Sequence, residues 1–140
     1  MRLELFFNFG GDCRKAAEFY ARVFRSKVEH LMTYAEAPPD PNAPLKEADR
    51  ERVMHASVRV GDMTVMLMDM PADEPLVVGN NIAPTLSLER KDEVVRLFQE
   101  LKEGGKVYVE PQQAFFSELY YMVGDQFGVI WQILHTVPGA

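Results

Sequence analysis

The sequence predicts an α+β fold built from two βαβββ modules. Three observations carry that prediction. Alternating apolar and polar residues mark strands at 53–60 and 82–89. Apolar residues at helical spacing mark one helix in each half, at 16–24 and at 94–101. A Val-Gly-Asp turn occurs twice, as Val60-Gly61-Asp62 and as Val123-Gly124-Asp125, as an internal repeat would place it.

In the first module, Leu3 to Phe9 is rich in Leu and Phe and reads as a strand. Gly10-Gly11 breaks it, and Asp12 is the expected N-cap of a helix running to about Phe24. Ala16, Phe19, Tyr20, Val23 and Phe24 give that helix one apolar face. Val28 to Tyr34 is a weaker strand. The stretch 35–52 carries four prolines and several charges, and it reads as a surface excursion or lid. Val53 to Val60 alternates as a half-buried strand does. The Gly61-Asp62 turn then returns the chain as a hairpin strand, Met63 to Met68.

The second module follows a loop over 72–81. Ile82 to Glu89 alternates, with Pro84 marking a strand start or edge. A helix is expected over Lys91 to Glu103, stopped by Gly104-Gly105. Val107 to Val109, Leu119 to Val123 and Val129 to Leu134 are the last strands. The whole is expected to be one domain over 1–140, with modules at about 1–70 and 80–136.

Composition bounds the function. The chain is 47% hydrophobic and 26% charged, ordinary for a globular protein, with a net charge of −6. Its Lys and Arg residues are scattered in sequence. That argues against nucleic acid as a partner, and no basic cluster at a helix N-terminus marks a phosphate or phosphonate site. Cys13 stands alone, so no intrachain disulfide forms, which fits a reducing compartment. The residue reads either as a small buried side chain or as a nucleophile without a local histidine. No apolar run approaches the ~20 residues of a membrane span. The opening MRLELFF turns polar too soon for a signal peptide, so the cytoplasm is the expected location. There is no P-loop, Gly-x-Ser-x-Gly or dinucleotide fingerprint.

Four motifs then fall in order. Phe7-Asn8-Phe9-Gly10-Gly11-Asp12-Cys13 leads to Glu18-Phe19-Tyr20; Met54-His55-Ala56 precedes the hairpin ending Met66-Leu67-Met68-Asp69. Gly79-Asn80-Asn81 precedes the fifth strand, and Asp125, Phe127, Gly128, Val129 and Trp131 close the series. This pattern resembles the PhnB-like (3-demethylubiquinone methyltransferase-like) branch of the glyoxalase/bleomycin resistance/dioxygenase, or vicinal oxygen chelate, superfamily. Phe115-Phe116 departs from the Phe-Trp pair common in that branch. The resemblance implies a glyoxalase-like fold, with curved mixed sheets enclosing a cavity, and a homodimer.

Relatives with metal chemistry place His or Gln, Glu, His and Glu on the first, fourth, fifth and eighth strands. Those positions fall here on Leu5, Met68, Ala83 and Gln132. A common shift by one residue gives Glu4, Leu67, Ile82 and Trp131, or Phe6, Asp69, Pro84 and Ile133. None of the three sets rebuilds a metal site, so no metal or other cofactor is expected.

By strand parity with those positions, Leu5, Phe7, Met66, Met68, Thr85, Ser87, Ile130 and Gln132 are expected to line the cavity, with His55, Ser57 and Arg59 from the third strand. His55 is the candidate acid-base catalyst, or else a hydrogen-bonded structural histidine. Arg59 is a candidate for a ligand carboxylate or phosphate, or for a surface ion pair. Tyr120 or Tyr121 is a candidate hydroxyl donor, Tyr121 being taken into the ligand set. The expected function is binding of a small apolar or amphipathic molecule without the usual metal. The alternative is a lyase or isomerase that uses an atypical metal site or His55 acid-base chemistry.

Overall fold

In a computed structural model describing residues 1–139, the chain divides into two compact units between Val77 and Val78. In the first unit, strand β1 (Leu5–Phe9) is followed by helix α1 (Cys13–Val23) and strands β2 (Val28–Thr33), β3 (Val53–Val60) and β4 (Met63–Asp69). These strands form one mixed sheet in the order β1-β4-β3-β2, with β1 parallel to β4 and the other pairs antiparallel. The second unit repeats the plan: β5 (Thr85–Leu88), α2 (Lys91–Leu101), β6 (Lys106–Ala114), β7 (Ser117–Gly124) and β8 (Ile130–His135). Its sheet runs β5-β8-β7-β6, again with a single parallel pair, β5 with β8. Two βαβββ units with one mixed sheet each bear out the α+β reading.

Each helix covers one face of its own sheet. Ala16, Ala17, Tyr20 and Val23 of α1 are buried, as are Ala56, Val58, Val65 and Leu67 of β3 and β4. In the second unit Val94, Leu97, Phe98 and Leu101 of α2 are buried, with Tyr121, Val123, Trp131 and Ile133 of the sheet. At about 25 cal/mol per Å2 of apolar surface removed from water, these two layers are the main stabilising term in each unit.

Several boundaries differ from the sequence expectation for local reasons. The first strand begins at Leu5, and Leu3 is exposed. Asp12 makes no side-chain cap bond; Asp69 of β4 reaches the helix start instead, accepting the N–H of Gly11 at 2.8 Å and of Cys13 at 3.0 Å. β5 starts only at Thr85, because Pro84 has no N–H to give and Ile82 lies in solvent. α2 stops at Leu101. β6 is far longer than the Val107 to Val109 core that alternation marked, because its remaining residues are mostly exposed on an edge strand interrupted by register shifts. Pro111 is tolerated there because an edge strand leaves donors unpaired.

The 35–52 excursion is solvated in its middle and tied down at its end. A short 3-10 helix spans Glu47–Asp49, and buried Asp49 accepts the Ala72 N–H at 2.8 Å. Arg52 Nη1 donates to the Met70 carbonyl at 2.8 Å, and Lys46 pairs with Asp73. The Tyr34 hydroxyl donates to the Asp69 carbonyl at 2.7 Å.

Candidate functional site

Strand register decides which side chains share a face. In the first unit Leu5, Phe7 and Phe9 stand beside Val65, Leu67 and Asp69, and Leu67 and Val65 stand opposite Ala56 and Val58. This is the helix-covered face: the Phe7 ring meets the Tyr20 ring of α1 at 6.1 Å. Phe6 and Asn8 stand beside Met66 and Met68, Met66 opposite Ser57, and His55 opposite Met32. These residues make up the face turned away from α1.

The placement corrects two expectations. Leu5 and Phe7 do not share a face with Met66 and Met68; Phe6 and Asn8 do. The misreading came from one residue of strand register, which swaps every side chain to the other face. Met66, Met68, His55, Ser57 and Arg59 share the open face.

His55 lies on this face toward the start of β3. Its ring lies 6.1 Å from Phe6 and 5.1 Å from His30 of β2, centroid to centroid. Neither imidazole has a hydrogen-bond partner among the described residues. His30 was missed at the sequence level because β2 alternates poorly, with a register shift between Val28 and His30.

In the second unit Thr85 stands beside Gln132, and Gln132 opposite Met122. On this open face Tyr120 donates its hydroxyl to Gln132 Oε1 at 3.3 Å, and Gln132 Nε2 reaches Thr85 Oγ1 at 3.5 Å. Thr85, Ser87 and Gln132 therefore share this face. Tyr121 does not: it is fully buried under α2, its ring 4.9 Å from Phe98 and its hydroxyl 2.7 Å from the Val94 carbonyl. Burial pushes its phenol well above the usual range. Tyr120 takes the open-face role, with Phe116 packed on it at 5.0 Å.

Cys13 is fully buried, and burial with the nearby Asp69 charge raises its thiol to about 12. A thiol so protonated is no nucleophile at neutral pH. His135 Nε2 lies 3.1 Å from the Glu89 carbonyl, away from these groups.

On the strands that carry the superfamily's ligands the open-face donors do not fit its metal, and the imidazoles of His30 and His55 stand on β2 and β3 instead. On β1 and β4 those donors are Asn8, Thr64 and two methionine thioethers; on β5 and β8 they are Thr85, Ser87 and Gln132. These are neutral oxygens and soft sulfurs, where such a site needs carboxylate and imidazole ligands at about 2.0–2.2 Å. Among the described residues no three His, Cys, Asp or Glu side chains converge. No helix of the described residues is long and apolar enough to cross a membrane.

Comparison with known proteins places these features. The model of the Glyoxalase/Bleomycin resistance protein/Dioxygenase superfamily matches residues 3–133. Protein YjdN of Escherichia coli (strain K12) is 26% identical over 140 residues, covering 95% of this chain and 94% of its own. The crystal structure of protein PA1353 from Pseudomonas aeruginosa superposes with a TM-score of 0.81 at 26% identity, over 97% of this chain and 99% of that one. The PhnB protein from Bacillus cereus gives 0.79 at 21% identity, over 97% and 100%, a likeness of fold.

Proposed function

Because the chain belongs to the Glyoxalase/Bleomycin resistance protein/Dioxygenase superfamily, yet carries neutral donors where that fold holds its metal, we propose that it binds a small apolar or amphipathic molecule without that metal. One observation carries the reading. The open face of the first sheet joins Phe6, Met66 and Met68 to the polar groups of His55 and Ser57. Apolar surface with a few placed polar groups is the usual make-up of a small-molecule site. Methionines add adaptability, since an unbranched thioether refits to differently shaped ligands. On the second sheet Gln132, Thr85 and Tyr120 form a polar set of their own.

The test uses the neutral dye N-phenyl-1-naphthylamine. Saturable binding to the intact chain is expected, and Met66→Glu weakens it at least tenfold because a carboxylate then sits in the apolar contact. Absence of saturable binding, or binding indifferent to Met66→Glu in a variant with unchanged circular dichroism, contradicts the reading.

A second reading is metal-free acid-base catalysis by His55, as a lyase or isomerase. It is favoured by the position of the imidazole on the open face with no hydrogen-bond partner among the described residues. Retained ligand binding with lost turnover in His55→Ala supports it. Pairing as a homodimer in the cytoplasm completes the proposal. Each sheet leaves two edge strands, β1 and β2 in one and β5 and β6 in the other, which gives pairing a physical basis.

A further inference from the structure

One end of the first sheet collects cations. Where the link from α1 to β2 meets the β3–β4 turn, an open recess of about 500 Å3 is lined in part by Arg25, Lys27, Arg59 and Glu29. Three cations face one carboxylate there, in a chain whose net charge is −6. The side chains of Lys27 and Arg59 have no ion-pair or hydrogen-bond partner among the described residues. The Ser26 hydroxyl donates to the Arg59 carbonyl at 2.8 Å and ties the two walls together.

Helix polarity does not account for this cluster. A cation near the C-terminal carbonyls of α1 is favourable, but Arg22 in the last turn already supplies one. Arg25 follows the C-cap with φ 53, a left-handed conformation in which glycine is the ordinary residue.

The recess adjoins the open face through Arg59. Arg59 follows His55 and Ser57 on the same side of β3, and four residues of strand span about 13 Å. We propose, resting on the open-face reading above, that the ligand is an amphipathic small acid. Its apolar body lies along Phe6, Met66 and Met68, and its phosphate or carboxylate head sits among Lys27, Arg59 and Arg25. Arginine suits such a head because its fork pairs both oxygens at once.

Octanol, octanoate and octyl phosphate, each titrated against the dye-loaded intact chain, test this. At least one of the two acids is expected to displace the dye at a tenfold lower concentration than octanol, an advantage that shrinks in high salt. Which acid leads separates a phosphate from a carboxylate head. Lys27→Gln and Arg59→Gln each weaken the leading acid at least threefold, and in the double variant the acid-to-octanol ratio falls toward one. If octanol displaces the dye and neither acid does better, the anionic head is overturned and the open-face reading stands. If the dye does not bind at all, the open-face reading falls and takes this inference with it.

Discussion

The indole N–H of Trp131 donates to Asp125 Oδ2 at 2.9 Å, deep in the second unit. The other carboxylate oxygen accepts the backbone N–H groups of Phe127 at 2.9 Å and Val129 at 3.1 Å. One aspartate thus folds the turn between β7 and β8 and seats the tryptophan. Gly128 completes the turn with φ +91, and a Cβ there would lie 2.7 Å from Val78 Cγ1. Asp125→Ala removes the carboxylate that accepts from a buried indole and from two turn N–H groups. It is expected to cost about 2–4 kcal/mol. Urea unfolding followed by Trp131 fluorescence measures this, and a loss below about 1 kcal/mol contradicts the assigned role.

Asp69 has the corresponding place in the first unit. Its Oδ1 holds the N–H groups of Gly11 and Cys13, and its Oδ2 the N–H of Val53 at 2.9 Å. It thereby joins the start of α1, the start of β3 and the end of β4. Asp69→Ala is expected to destabilise by about 3 kcal/mol. Tyr34→Phe removes only the hydroxyl bond to the Asp69 carbonyl and is expected to cost about 1 kcal/mol. Chemical denaturation of the two variants side by side checks the ranking.

The Cys13 thiol gives a pH prediction. Its folded value of about 12 stands above the ordinary 9.0 of a free thiol, so the folded state holds the proton more tightly than the unfolded state. The associated stability is complete below pH 9 and is lost as pH rises from there toward 12, at up to about 1.4 kcal/mol per pH unit. Tyr121, also raised, adds a loss of the same sign above pH 10. Denaturation midpoints across that range are expected to fall more gently in Cys13→Ala, once its own baseline stability is subtracted. At pH 8 the native thiol is expected to resist alkylation and the unfolded thiol to react freely.

Arg25 sets stability against function. Arg25→Gly relieves the left-handed strain and is expected to raise stability by about 1 kcal/mol. It also removes a cation from the recess, so the preference for the acids over octanol is expected to decline. Thermal unfolding and dye displacement on the same preparation read both effects.

Much of the fold is legible in the sequence because burial imposes a period. Ala56, Val58 and Val60 on the helix-covered face alternate with His55, Ser57 and Arg59 on the other, and the two helices show their apolar faces directly. The length of β6 was not legible, since Glu110 to Gln113 are exposed on an edge and carry no alternation. The open face was partly legible. Parity on β3 was read correctly, but on β1 three consecutive residues, Leu5, Phe6 and Phe7, are all apolar, so period alone could not choose between them. Tyr120 and Tyr121 posed the same problem on β7. Of the recess only Arg59 was singled out from the sequence, because Lys27 and Arg59 lie far apart in the chain and meet only through the fold.

Native mass spectrometry of the intact chain, offered Zn, Ni, Mn and Mg and then dialysed, tests the central claim most directly. A metal-free protein, carrying an organic adduct or accepting the octyl probes, is the predicted result. A stoichiometric divalent ion that survives dialysis, and is lost in Gln132→Ala, would contradict it and place the chain with the metal-dependent members of its superfamily.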